Sequence, residues 1–369
     1  MTIRVALAAG GTGGHLFPAE ALASALAARG ARPMLVTDPR TAGFAAVPGL
    51  AVHRLPLAPM RGGIVGRLQG GIGLCAGTLA AHRLMRRERP DVVVGFGGYP
   101  SVPTVLAARR HGCPVVLHEQ NAVLGKANRL LAPRAAAIAT SFGRVRLLPP
   151  ELAARVVETG NPVRPAIAAV RARAYEPPVA GGPVEILVMG GSQGARVFAT
   201  IVPAAIGRLA DDLRTRIRVV QQARADDVAA VEAAYGALGV PATVARFFDD
   251  VPDRLARAAL VISRSGASTV AELAVAGRPA ILVPYPHAAD DHQTDNAQHL
   301  ADAGGAWVAP ESGLTAETLA AVIATRAAAP PRLAAAAWAA AAAGRPDAAE
   351  RLADMVMAQA PARPLENAA

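Results

Sequence analysis

Short apolar runs rich in Val, Ile and Leu alternate along this chain with alanine-rich stretches of helical period. A brief apolar run bounded by turn formers reads as a strand buried on both faces, and the longer stretches between such runs read as crossover helices. The strand positions are 3–8, 33–36, 52–55, 91–95, 114–118, 136–140 and 156–158 in the first half of the chain. In the second half they are 184–189, 217–221, 243–247, 260–263, 280–284 and 306–308. This alternation predicts an α/β fold with parallel sheets. Gly160-Asn161-Pro162-Val163-Arg164-Pro165 reads as a turn between the halves, and 175–183 as a stiff exposed linker. Residues 333–343 are nearly all alanine around Trp338. Gly344 and Pro346 then break the helix before a further amphipathic stretch to Met357, and residues after Ala360 are expected to fray.

At 369 residues the chain is too long for one ordinary core and suits two domains. Its two cysteines, Cys75 and Cys113, lie far apart and form no Cys-x-x-Cys pair, so neither a disulfide framework nor a zinc site is suggested and a reducing compartment fits best. The net charge of +10 raises nucleic acid, anionic membrane and phosphorylated substrates as partners. Lys126 is the only lysine, and the arginines lie in an alanine-heavy background that reflects composition bias. Interleaved aromatic and basic residues are missing, so nucleic acid is set aside. The apolar run 5–9 is too short for a signal peptide, and 64–84 is broken by Arg67, Gln69, His82 and Arg83, so no membrane-spanning helix is expected. Leu68, Ile72, Cys75 and Leu79 nevertheless recur at helical spacing, flanked by Arg61, Arg67, Arg83, Arg86 and Arg87. That pattern fits either a surface lying on anionic lipid or an amphipathic core helix with a solvated basic end.

Two glycine-rich turns carry the candidate chemistry, Ala9 to His15 and Met189 to Ala195, each after a strand and before a helix. Glycine there lets bare amides approach an anion at a helix N-terminus. The dinucleotide fingerprint fails in the first turn, where Leu16 replaces its last glycine, and no Walker sequence is present. A nicotinamide-dependent oxidoreductase is the main rival, because Asp38 follows the next strand as a ribose-binding acid would.

Ser263 to Glu272 reads as a strand end, a glycine turn and a helix start. Its amides from Ala267 to Thr269 suit phosphates, with Glu272 one turn on to accept from ribose hydroxyls. The alternative is a capping box, with Ser268 or Thr269 as cap and Glu272 reaching back. His15 at a helix start is either a neutral base, its pKa depressed by the helix end, or a histidine bonded to its own loop. His118-Glu119-Gln120-Asn121 clusters polar residues at a strand's carboxyl end, which points to a ligand. His287, Asp290, Asp291 and His292 form either a metal set or a solvated loop in which Gln293 reads sugar hydroxyls. No Asp-x-Asp sequence occurs.

Together GGTGGHLFPAEALA, VVVGFGGYPSVP, LHEQNAVLGKANRLLA, TGNPVR, GGSQGAR, SRSGASTVAEL and GRPAILVPYPHAADDHQTDNA closely resemble the MurG family of peptidoglycan synthesis. The resemblance implies the GT-B architecture, two Rossmann-like domains facing across a cleft. The expected domains are 1–162 for acceptor and membrane, 163–343 for UDP-sugar, and a helix at 344–360 packing back on the first. The implied reaction moves N-acetylglucosamine from UDP-GlcNAc to undecaprenyl-pyrophosphoryl-MurNAc-pentapeptide (lipid I), with inversion and with neither cofactor nor essential metal. The implied place is the cytoplasmic face of the inner membrane, held peripherally on its anionic surface. Carried over by motif, Thr12, Gly13 and Gly14 line the cleft and His15 is the base. Asn121, Arg164, Ser192 and the segment Ala267, Ser268, Thr269, Val270, Ala271 and Glu272 contact the donor, with Glu272 on the ribose. Phe248 falls where backbone groups read uracil, and Gln293 contacts the sugar. His292 stands where some relatives carry another glutamine.

Overall fold

The computed structural model describes every residue except Met1, Thr12, Arg40, 42–46, Pro48, 58–62, Ser192, Gln193 and 362–369, and of 63–70 the backbone alone. The chain divides into unit 1, Met1–Pro162 with Asp347–Ala369, and unit 2, Val163–Pro346.

Unit 1 is built on a parallel sheet of seven strands: β1 (Arg4–Ala8), β2 (Arg32–Thr37), β3 (Ala51–Arg54), β4 (Val92–Gly95), β5 (Val115–Glu119), β6 (Ala137–Thr140) and β7 (Val156–Glu158). Their order is β3-β2-β1-β4-β5-β6-β7. Successive side chains of a strand point to opposite faces, so the continuous apolar runs supply two cores at once. Val5, Leu7, Val92 and Val94 pack with Leu22 and Leu26 of the helix Gly13–Ala28 and with Leu352 and Val356 of the helix Ala348–Ala358. Ala6, Val93 and Leu117 face the other way, toward Leu84 and Met85 of the helix Gly63–Glu88 and Val105 of the helix Ser101–Arg110. The C-terminal helix is pinned further by Arg29 Nε donating to Asp354 at 3.2 Å and Arg351 Nη2 donating to the Glu158 carbonyl at 2.7 Å.

Unit 2 repeats the plan with six parallel strands: β8 (Val184–Met189), β9 (Ile217–Gln222), β10 (Ala242–Ala245), β11 (Leu260–Ser263), β12 (Ala280–Leu282) and β13 (Ala306–Val308), in the order β10-β9-β8-β11-β12-β13. Tyr175, expected in an exposed linker, is instead half-buried against this unit's core, and its hydroxyl donates to the Ala259 carbonyl at 2.7 Å. Fully buried Arg278 explains the docking: its guanidinium donates to the carbonyls of Arg173, Leu255, Ala256, Ala276 and Gly277, tying that segment to two helix ends. The start of the proline-rich stretch is thus held to unit 2 because the buried cation takes the Arg173 carbonyl just before it.

In each sheet the strand order reverses once, between β1 and β4 in unit 1 and between β8 and β11 in unit 2. Loops leaving the carboxyl ends of those neighbouring strands diverge and open a crevice, where open parallel sheets bind ligands.

Candidate functional site

At the reversal in unit 1, β1 runs through Gly10 and Gly11 (φ +88°) into the helix Gly13–Ala28, whose first turn carries Gly13, Gly14 and His15. Pro18 lies inside this helix. Gly13 and Gly14 open this helix directly before His15, and a Cβ on Gly13 would meet the Phe17 ring at 2.8 Å. A Cβ on Gly10 would meet Asp38 Oδ2 at 2.9 Å. Asp38 is fully buried beside that glycine, which removes the ribose-binding acid on which the nicotinamide reading depends.

The His15 ring lies between two loops. On one side a Cβ at Gly98 (φ +69°) would come within 3.2 Å of the imidazole, so only glycine suits the backbone and the space there. On the other, His15 Nδ1 meets Gln120 Oε1 at 3.1 Å, Gln120 Nε2 meets His118 Nδ1 at 2.9 Å, and His118 Nε2 meets the Gly160 carbonyl at 3.1 Å. His118 is fully buried, and burial pushes its pKa down to about 4 against the opposing hydrogen bond to Gly160. Beside this chain the buried Glu119 carboxylate accepts four hydrogen bonds. Asn121 donates to Oε1 through its backbone N at 3.0 Å and Nδ2 at 3.2 Å, and Gly125 N and Asn128 Nδ2 donate to Oε2 at 2.9 and 2.8 Å. The polar cluster seen in sequence is therefore a rigid frame that sets Asn121 and Gln120. Sequence reasoning placed Gln120 in a polar cluster and Gly160 and Asn161 in a turn without giving any of the three a role of its own; the Asn161 side-chain amide is buried with neither polar atom partnered. The signals were the polar cluster at the strand end and their place in the two motifs LHEQNAVLGKANRLLA and TGNPVR.

At the reversal in unit 2, β8 leads through Gly190, Gly191 (φ +78°) and Gly194 (φ +67°) to the helix Arg196–Gly207. A Cβ on Gly190 would collide with Ala195 N, so this turn closes only around glycine. β11 leads to Arg264, Ser265 and Gly266 and the helix Ala267–Ala276. The capping-box alternative is not formed: the cap is Gly266, which has no side chain, and Ser268 and Thr269 fall inside the first turn. Ser268 Oγ is buried without a hydrogen-bond partner. Val270 is buried, so it offers a ligand only its backbone. One turn on, Glu272 Oε1 accepts from Arg164 Nε at 3.1 Å and Nη2 at 3.0 Å. Burial raises the Glu272 pKa, and the guanidinium opposes it.

Helix His292–Asp302 latches this turn. Ser265 Oγ donates to the Gln293 carbonyl at 2.8 Å, Asn296 Nδ2 donates to the Ser265 carbonyl at 3.1 Å, and Gln293 Oε1 accepts from Tyr285 N at 3.0 Å. The Phe248 ring is buried beneath the Arg254 guanidinium, 4.1 Å from its centroid. Among the described residues no group of three or more His, Cys, Asp or Glu is placed to hold a metal, so the metal reading of 287–292 has no geometry behind it. Thr12 and Ser192 lie outside the described residues. The structure thus gathers His15, Gly13, Gly14 and Asn121 at one reversal, and Arg164, Ala267 to Glu272 and Gln293 at the other.

On the exposed side of the helix Gly63–Glu88, Ile72 is 71% and Leu79 52% accessible, so the reading of this stripe as core is overturned at those positions. Leu68, Arg61 and Arg67 fall outside the described side chains. Among the described residues no helix is long and apolar enough to cross a membrane.

Two parallel α/β units, each with a glycine turn at its sheet reversal, define the GT-B class of glycosyltransferase. The N-terminal domain of glycosyltransferase family 28 matches residues 5–140, and its C-terminal domain residues 185–352. A UDP-N-acetylglucosamine–N-acetylmuramyl-(pentapeptide) pyrophosphoryl-undecaprenol N-acetylglucosamine transferase of Rhodospirillum centenum is 57% identical, over 96% of this chain and 94% of its own. The protein of the same name from Paramagnetospirillum magneticum is 52% identical, with 97% of each chain covered. The crystal structure of MurG from Acinetobacter baumannii superposes with a TM-score of 0.78 at 30% identity, covering 96% of this chain and 99% of that one. The chain belongs to the MurG family within glycosyltransferase family 28.

Proposed function

We propose that this chain transfers N-acetylglucosamine from UDP-GlcNAc to the 4-hydroxyl of undecaprenyl-pyrophosphoryl-MurNAc-pentapeptide, with inversion, in peptidoglycan biosynthesis. The observation that carries this reading is the 57% identity over 96% of the chain to a relative named for that transfer. The geometry supports the following assignment of parts. His15 takes the proton from the muramoyl hydroxyl as its oxygen bonds the anomeric carbon, and the bond from that carbon to the diphosphate breaks. The side-chain-free cap at Gly266 leaves the amides of Ala267 to Thr269, and the partnerless Ser268 hydroxyl, for the departing UDP. Arg164 shares that charge while holding Glu272, which accepts from the ribose. Phe248 backbone groups read uracil, Gln293 the sugar, and Thr12, Gly13, Gly14, Asn121 and Ser192 complete the substrate contacts. Neither metal nor other cofactor has a part in this scheme.

The same reading places domain 1–162 on the anionic cytoplasmic face of the inner membrane, with Ile72 and Leu79 inserted and Arg83, Arg86 and Arg87 over the headgroups. UDP release from UDP-GlcNAc, with and without a lipid-linked muramoyl acceptor, tests the transfer. Acceptor-dependent release is expected; binding of UDP without release would leave a nucleotide-sugar-binding protein.

A further inference from the structure

We infer that Gln120 and His118 form a neutral relay that fixes the tautomer of His15, holding the proton on Nδ1 and the lone pair on Nε2. The inference rests on the reading of His15 as the base. It follows from which atoms can donate.

The chain begins at the Gly160 carbonyl, which can only accept, so the His118 Nε2 at 3.1 Å carries a proton and donates. His118 is fully buried and its pKa is pushed down to about 4, so the ring is neutral and its Nδ1 holds a lone pair. That lone pair accepts from Gln120 Nε2 at 2.9 Å, and the same amide nitrogen donates to the His118 carbonyl at 3.1 Å. The second bond fixes which end of the amide is nitrogen. A flipped Gln120 would set its oxygen against both a ring lone pair and a carbonyl oxygen. Gln120 Oε1 therefore faces His15 Nδ1, 3.1 Å away, and because an amide oxygen only accepts, His15 Nδ1 carries the proton. On a neutral ring the basic site is then Nε2, the atom beside which Gly98 leaves room for want of a Cβ.

A carboxylate in place of Gln120 would also hold the His15 proton but could not donate to His118. A shorter amide would not span the two rings. His118 and Gln120 touch no substrate in this scheme; they are positioning residues, and the relay is anchored in the backbone just before the chain leaves unit 1 at Pro162.

Long-range ¹H–¹⁵N correlation spectra of the full-length protein labelled in histidine, assigned with His15→Asn and His118→Gln, read both tautomers directly. Nδ1–H is expected for His15 and Nε2–H for His118. In Gln120→Leu the His15 signals should move to a mixture, with kcat for UDP release falling about 10-fold or more and KM for UDP-GlcNAc within about twofold. In Gln120→Glu, His15 should keep Nδ1–H while His118 gains a proton on Nδ1. An Nε2–H His15 in the wild type would overturn the relay whether or not a variant folds, as would an unchanged His15 tautomer in folded Gln120→Leu. Full turnover by His15→Ala would remove the base reading, and the relay's catalytic meaning with it. An Nε2–H His15 in a chain that His15→Ala disables would remove the relay alone.

Discussion

A histidine inside unit 1 must stay neutral to accept from one amide and donate to one carbonyl, and His118 is in that position. Its pKa drops from 6.5 to about 4 on folding, which corresponds to about 3 kcal/mol. Between those values the unfolded chain binds the proton that the native chain refuses. Stability therefore rises with pH across this window and is lost as pH falls from 6.5 toward 4. Urea midpoints measured at pH 7 and pH 4.5 should fall less steeply for His118→Gln than for the wild type. His15→Ala should lower kcat by about 10²- to 10⁴-fold, the usual reach of a general base, with folding unchanged by circular dichroism. Ser268→Ala should raise KM for UDP-GlcNAc several-fold, because the hydroxyl has no partner of its own to lose. His15 and Glu272 stood out in sequence as candidates from their places beside glycine turns. Gln120 was not, because its meaning depends on two rings, at His15 and His118, that only the folded sheet brings to it.

Elements were legible wherever the apolar run was short and its neighbours helical: all thirteen expected strands form, with ends moved by a few residues. Turns depended on closer detail. The collision of a Gly190 Cβ with Ala195 N means that Gly190→Ala should destabilise the chain by about 2 kcal/mol or more, seen as a lower urea midpoint. The helix Gly63–Glu88 shows the opposite limit of sequence reading. Its spacing fitted both core and membrane, and the exposure of Ile72 and Leu79 decides against core at those two positions. Replacing both with Glu should cut sedimentation with anionic vesicles about tenfold or more, since buried CH₂ groups contribute about 0.8 kcal/mol each. Unchanged sedimentation that is also insensitive to salt would refute the membrane contact.

For the whole molecule, a ligand that binds only the native state must raise its melting temperature, by an amount set by concentration over Kd. UDP at about 100 Kd should contribute about 2.7 kcal/mol, a rise of several degrees by scanning fluorimetry, while NAD should have no effect. A shift by NAD alone would revive the oxidoreductase. The sequence by itself determined the two α/β halves, the glycine turns and the family, because strand periodicity and glycine requirements are local and long motifs survive in order. It could not assign Tyr175, which reads as linker by its prolines and is held to unit 2 by its hydroxyl's bond to the Ala259 carbonyl and by the Arg278 guanidinium over its ring. Nor could it choose between cap and ligand at Ser268. Tertiary structure set Tyr175 against unit 2, put Gly266 rather than Ser268 at the cap, joined His15, Gln120 and His118, and buried Asp38, because hydrogen-bond partners and exposure are relations between residues far apart along the chain. Local spacing carries no record of which distant groups will meet.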